Sequence, residues 1–158
     1  MTHEPAVIFF RRPVKRVRSG VYQIHLSSEE RELLRDLPRQ MKALLAETDD
    51  PALRRLFPPA YVDDPEGETE YRRLMGDDLL QGRQASLDTM AATIDAAELD
   101  EAQITAWLSS LNDLRLVLGT RLDIQEDDDP VDTPIHQLYY YLTMLEDAVI
   151  TALSSQFD

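Results

Sequence analysis

The stretch from Ile104 to Leu122 limits the fold more than any other part of the chain. Ile104, Trp107, Leu108, Leu111, Leu114, Leu118 and Leu122 recur at the three- and four-residue spacing of one helix face. Leu116 and Val117 widen that face until the second half is apolar nearly all round. Such a helix belongs at the centre of a bundle and demands other helices around it. Asp100, with Gln103 three residues on, caps its start. The central helix is therefore expected over Glu101–Leu122. Gly119 within it costs about 1 kcal/mol relative to alanine and permits close approach of a neighbour.

The neighbours are legible on both sides. Ser27 and Glu30 form a capping box that opens a helix carrying Leu33, Leu34, Leu37, Met41, Leu44 and Leu45. Pro38 removes one intrahelical hydrogen bond, which predicts a kink or two abutting helices. Asp49-Asp50-Pro51 ends this run, and Leu53, Leu56 and Phe57 form a short amphipathic turn stopped by Pro58-Pro59. A long helix is expected from Glu68 towards Ala97, weakened at Gly76 and Gly82. After an acidic loop over residues 125–132, Thr133 caps a last helix and Pro134 takes its first position, where a missing amide is harmless. Ile135, Leu138, Tyr139, Leu142, Leu145, Val149 and Leu153 line its inner face.

The N-terminus reads differently. Residues 6–10 are an apolar run and residues 21–26 alternate after Gly20, which predicts two strands. They are expected to pair antiparallel across the basic connection Arg11–Ser19, with Pro13 at an edge or in the loop. The fold class is therefore mainly α: an irregular bundle of about five helices with a small N-terminal β-hairpin. Residues 1–158 form a single domain in this reading, with the hairpin and basic segment in 1–26 and the helical body in 27–158.

Charge follows the same division. Residues 1–26 carry a net +4, from Arg11, Arg12, Lys15, Arg16 and Arg18 against one acid, while the remainder carries −18. An acidic body repels nucleic-acid backbones and favours cationic partners. The basic segment is the candidate contact for phosphates or for a protein partner, including a second copy of the chain in a homodimer. No recognition helix or set of interleaved aromatics accompanies it.

Several chemistries are excluded or unsupported. With no cysteine, a disulfide framework, a thiolate nucleophile and a cysteine metal site are all ruled out. His3, His25 and His136 lack metal-pair spacing. The acidic run Glu126–Asp129 lacks the alternating ligands and internal glycine of a calcium loop. No phosphate loop, nucleophile elbow or catalytic triad is recognisable. The reading is a non-enzyme with no metal and no cofactor. No apolar run reaches the length of a membrane helix, and a cytoplasmic location is expected.

Two polar features remain inside apolar patterns. Asn112, Asp113 and Arg115 sit within the most apolar helix, where an unpaired charge is costly. An internal network is expected, with Arg115 paired to Asp77 or Asp78 and Asn112 on a neighbouring backbone. The alternative is a ligand or partner site. Asp77 and Asp78 can also face Glu146 and Asp147 as paired carboxylates. Tyr139, Tyr140 and Tyr141 cannot all face one core, so one or two are candidates for an exposed interface.

Three stretches carry a family resemblance. They are Asp50-Pro51-Ala52-Leu53-Arg54-Arg55-Leu56-Phe57-Pro58-Pro59-Ala60-Tyr61 with Glu70-Tyr71-Arg72-Arg73-Leu74 and Asp77-Asp78-Leu79; Trp107-Leu108 through Leu111-Asn112-Asp113-Leu114-Arg115-Leu116-Val117-Leu118-Gly119-Thr120-Arg121-Leu122; and Tyr140-Tyr141-Leu142 through Leu145-Glu146. Together they resemble the AosR oxidative-stress regulators of actinobacteria, long called a domain of unknown function. The resemblance implies a transcriptional regulator or co-regulator linked to oxidative stress and cysteine biosynthesis. It implies action by protein contact, with a sigma factor or the transcription machinery as partner, and DNA contact as a further possibility. It also implies an alternative context, an adaptor associated with Clp protease; a small-ligand sensor without catalysis is the other alternative. Some members of the family carry a cysteine pair that supports redox sensing. This chain has none, so a thiol switch is excluded here.

Overall fold

The computed structural model describes residues 12–46, 56, 63–123 and 131–155, with the backbone alone for residues 71–78. Among the described residues there are three strands and five helices: β1 (Val14–Arg18), β2 (Val21–Ile24), α1 (Ser28–Arg35), α2 (Leu37–Leu45), α3 (Pro65–Ala92), β3 (Glu98–Leu99), α4 (Glu101–Arg121) and α5 (Pro134–Ser154). The mainly helical class with a small N-terminal sheet is as the sequence implies.

Local chemistry sets most of the helix starts. Ser27 Oγ accepts from Glu30 N at 3.1 Å and Glu30 Oε1 accepts from Ser27 N at 3.0 Å, the reciprocal capping box of α1. Asp100 and Gln103 do the same for α4, both at 2.8 Å. Thr133 caps α5 with Pro134 at its first position. Each such cap stabilises its helix by about 1 kcal/mol. Pro38 divides the first helical run into α1 and α2, because its ring cannot continue the hydrogen-bond ladder.

Two boundaries differ from the sequence expectation. The long helix begins at Pro65, capped by Asp64, and stops at Ala92, not near Ala97. The five residues that follow Ala92 turn the chain so that β3 can join the sheet. A mid-helix glycine in α3, Gly82, is exposed, and a Cβ added there would meet no atom within 4 Å. Gly82→Ala is therefore expected to stabilise the protein by about 0.5–1 kcal/mol in urea unfolding, since it removes backbone entropy from the unfolded chain without a clash.

The sheet has the order β1-β2-β3, all antiparallel. This corrects the expected hairpin. The basic segment is not the connection between strands; it is strand β1, and it turns back at Ser19-Gly20, where Gly20 takes φ 75°. Residues 6–10, expected as the first strand, lie outside the described residues. The register places Val14 opposite Ile24 and Arg16 opposite Tyr22, which in turn faces Leu99. Directly opposed residues share a face, so the face bearing Val14, Tyr22, Ile24 and Leu99 meets the helices, and all four are buried.

The core is centred on α4, which packs along both α3 and α5. Ile104, Trp107 and Leu111 from α4, Leu87 and Met90 from α3, and Leu145 and Val149 from α5 are all fully buried. The nearly all-apolar helix is thus flanked on two sides, as its pattern demands. Trp107 Nε1 donates to Thr93 Oγ1 at 2.7 Å, and that hydroxyl donates to Thr89 O at 2.7 Å.

One residue that the sequence did not single out ties sheet to helices. Arg31 on α1 donates to Leu26 O (3.3 Å), Ile94 O (2.6 Å), Ala96 O (3.1 Å) and Ile24 O (3.2 Å). Its planar fork satisfies carbonyls at the end of β2 and in the turn before β3. Arg31→Ala is expected to cost about 2 kcal/mol. Arg31→Lys should recover less than half of it, because one ammonium cannot span four acceptors; chemical denaturation of both variants measures this.

Candidate functional site

The residues with functional potential fall in four places: a basic strand, a buried set of ion pairs, the tyrosine triplet and an open groove. Among the described residues no group of three metal-ligating side chains occurs. No described helix is long and apolar enough to cross a membrane.

On β1 the cations are split. Arg16 shares the inner face with Tyr22, and its Nη1 donates to Ser155 O at 2.7 Å, at the C-terminal end of α5. A cation at that end of a helix meets the negative pole of its dipole. Arg16 is therefore committed to holding α5 against the sheet. Arg12 and Arg18 are exposed and Lys15 is half-buried on the outer face. Arg11 lies outside the described residues. The basic segment thus presents three cations outward among the described residues, and no helix accompanies them.

The polar cluster of α4 resolves into two ion pairs that link three helices. Arg83 on α3 donates to Asp113 Oδ1 and, at 3.1 Å, to Leu56 O. Arg115 Nε donates to Glu146 Oε1 on α5 at 2.6 Å, and Arg115 Nη2 lies 3.5 Å from Asn112 Oδ1. This corrects the partner expected for Arg115, which was Asp77 or Asp78. Those two lie on α3, and their side chains are outside the described set. Glu146 takes the place because it sits on the buried face of α5, facing α4. Asn112 supports Arg115 and not a neighbouring backbone.

Asp113 is 1% exposed. Burial pushes its carboxyl above the usual range, the Arg83 guanidinium pulls it back, and the Glu146 charge adds to the rise. Its Oδ2 and the hydroxyl of Ser110, one turn earlier, are both buried without a hydrogen-bond partner. Burial opposes the Arg115 charge, but Glu146 and then Tyr139 outweigh it and hold that guanidinium firmly cationic. Arg115 does not line the groove described below.

The three tyrosines have separate roles. Tyr141 donates to Glu30 Oε2 at 2.8 Å and so clamps the α1 capping box onto α5. Tyr139 is half-buried beside Arg115 and meets the Tyr140 ring edge-on, with centroids 5.8 Å apart. Tyr140 is exposed, and its hydroxyl accepts from Val131 N at 3.0 Å. Of the triplet, Tyr140 is the one on the surface.

The groove was not foreseen. It is open, encloses about 390 Å³, and lies between α2, the second half of α4 and the first half of α5. Met41, Leu114, Val117 and Leu142 form its buried floor. Leu37, Leu44, Leu118 and Leu138 form half-buried walls, and Gln40, Ala43, Arg121 and Ile135 stand exposed at its rim. Ile135 is 49% exposed and nearby in sequence Val131 is 43% exposed. Among the described residues the lining holds no acid–base pair, and an apolar cleft of this kind suits contact with apolar surface. The sequence assigned these leucines to the core because their helical spacing is the same whether a face is closed or left open.

A family model described as a domain of unknown function, DUF2017, matches residues 11–153. The AosR protein of Mycobacterium leprae (strain TN), named as an oxidative stress regulator, is 30% identical over 128 residues, which cover 66% of this chain and 59% of that protein. The oxidative stress regulator AosR of Mycobacterium tuberculosis (strain ATCC 25618 / H37Rv) is 30% identical over 127 residues, 66% of this chain and 58% of that protein. The protein of that name from Mycobacterium bovis is similar to the same extent. The chain spans about three-fifths of the length of the curated relatives it matches. No solved structure matches it. The family match takes in both ion pairs and every groove-lining residue, and the chain belongs to the DUF2017 family, of AosR type.

Proposed function

We propose that the chain is a non-catalytic, cytoplasmic regulator of the oxidative-stress response that works by gripping another protein in the groove between α2, α4 and α5. The groove carries this reading: it is an apolar surface left open among three helices in a chain otherwise rich in charge. The relatives named as oxidative stress regulators supply the biological setting. In this reading the chain acts on transcription, with cysteine-biosynthesis genes among its targets and a sigma factor or other component of the transcription machinery as its partner. The Clp-associated adaptor reading uses the same kind of contact and differs in what the partner does next.

The test is a deletion strain challenged with peroxide, with transcripts read out. Loss of peroxide survival together with failure to induce cysteine-biosynthesis genes supports the reading. Normal survival and normal transcripts remove it. Loss of survival with unchanged transcripts but stabilised protease substrates favours the adaptor.

DNA contact is a second reading, supported by the outward Arg12, Lys15 and Arg18 of the sheet edge. It requires duplex binding that weakens by about one power of salt for each phosphate contact. Salt-insensitive binding, or none, discards it.

A further inference from the structure

We propose that the groove is covered by the chain's own apolar run, residues 6–10, until a partner displaces it. The inference rests on reading the groove as the contact surface.

The groove has two unlike ends. Leu114 and Leu142 stand at one, Leu118 and Leu138 at the middle, and Arg121 and Ile135 at the other. Along this series the numbers on α4 rise as those on α5 fall, as two antiparallel neighbours require. Leu114 to Arg121 and Ile135 to Leu142 are each seven residues, a trough of about 10 Å at the rise of an α-helix.

The described chain starts near the Leu114–Leu142 end. Val14 opens β1 opposite Ile24, and Arg31 of α1 holds the carbonyls of both Ile24 and Leu26. One residue before Arg31, Glu30 accepts from Tyr141, the neighbour of Leu142. The segment before Val14 therefore leaves the sheet on the side of that end, away from Arg121.

The sequence of the segment suits what it meets from there. Ala6-Val7-Ile8-Phe9-Phe10 is apolar throughout, and five extended residues span about 16 Å, enough to run the length of the trough. Entering from the Leu142 end, the run carries Glu4 towards Arg121. Glu4 is the one acid among residues 1–26, and Arg121 is the one charged residue among those lining the groove. Arg121 has an interaction of its own, and a guanidinium with five donors accommodates a second acceptor. Behind the run, Arg11 and Arg12 stay over a body of net −18, which attracts them.

Other arrangements fit less well. A second copy brings −14 to the same body and lacks the tether that gives a segment of the same chain an effective concentration of about millimolar. The outer edge of β1 could also pair with the run, but a bulge between Arg16 and Arg18 interrupts its ladder. With the groove covered, a partner's apparent affinity falls by the fraction of chains in which it is open.

The absence of cysteine allows one nitroxide label to be placed on the full chain at His3→Cys, with methyl groups read by NMR. The label is expected to broaden Leu118 and Ile135 more than Leu114 and Leu142, and equally so after about tenfold dilution. Ile8→Asp together with Phe10→Asp should abolish the broadening at an unchanged melting temperature, and Glu4→Lys should reduce it. Broadening of Val14 and Val21 in place of the groove overturns the proposal in favour of a hairpin along β1. Broadening that fades on dilution overturns it in favour of a second copy. A leucine-faced helical peptide of about four turns separates the covering from the groove reading itself. It should bind the Ile8→Asp, Phe10→Asp chain at least about tenfold more tightly than the wild-type chain and shift the same methyl groups. Equal binding to the two chains overturns the covering and leaves the contact surface standing. No binding to either, with no methyl shifts, removes the groove reading as well.

Discussion

Truncating Trp107 to alanine lowers stability by about 4 kcal/mol, the largest loss expected from any one side chain. The ring is fully buried where α3, α4 and the turn before β3 meet. Its removal leaves a large cavity between helices that cannot close without separating the core. It also leaves Thr93 without its indole donor, although that hydroxyl keeps its bond to Thr89. Trp107→Phe retains most of the apolar area and loses the hydrogen bond, and should cost about 1–2 kcal/mol. Urea unfolding followed by circular dichroism measures both, since the single tryptophan is absent from the variants. Equal losses for the two would mean that the hydrogen bond, and not the packing, dominates.

Replacing Arg83 with methionine is expected to cost about 3 kcal/mol at neutral pH, because it strands the Asp113 carboxylate in the core without its cation. Asp113→Asn should cost less, about 1–2 kcal/mol, since the amide oxygen still accepts from Arg83 and the charge left unpaired is a guanidinium that is 25% exposed. The pH dependence separates this explanation from a packing defect. Asp113 has a folded pKa raised above its ordinary 3.8, so the folded state binds the proton more readily than the unfolded state. The penalty of the buried charge is fully present above the folded pKa and fades as pH falls through it towards the unfolded value. Without Arg83 the folded pKa rises further. The Arg83→Met deficit should therefore shrink as pH falls from neutral towards the ordinary 3.8, while the Asp113→Asn deficit, with no carboxyl left to take up the proton, does not shrink. A deficit for Arg83→Met that is constant over this range contradicts the stranded-charge explanation.

The two ion pairs also explain why the groove can stay open. Arg83 with Asp113 and Arg115 with Glu146 join α3, α4 and α5 from within. The ends of α4 and α5 that form the groove are thereby held without needing to close on one another. Tyr141 adds a tie from α5 to the start of α1.

Features governed by neighbours in sequence were legible before the structure. The capping residues Ser27, Asp100 and Thr133 act within one helical turn, and Pro38 breaks a ladder four residues long. The central position of α4 follows from its own apolar breadth. Features governed by distant partners were not legible. Strand β1 reads Val14-Lys15-Arg16-Val17-Arg18, with no clean apolar alternation, and its inner position for Arg16 depends on Ser155 at the far end of the chain. Arg31 looks like any surface arginine until the turn before β3 supplies its carbonyls. Arg83 gives no local sign of its pairing with Asp113, and Glu146 looked like half of a carboxylate pair. The groove is hardest of all to foresee, since Leu44, Leu118 and Leu138 come from three helices and nothing in their spacing reports whether the space between them is filled.

The central claim, that the protein acts by holding a partner in the groove, meets its most direct test in peroxide survival of a deletion strain complemented with Ala43→Arg. The same strain receives the wild-type chain and, separately, a chain with Arg12, Lys15 and Arg18 changed to alanine. If the groove is the contact surface, Ala43→Arg protein accumulates and melts like wild type yet fails to restore survival, and the sheet-edge variant restores it. Full rescue by Ala43→Arg would contradict the claim.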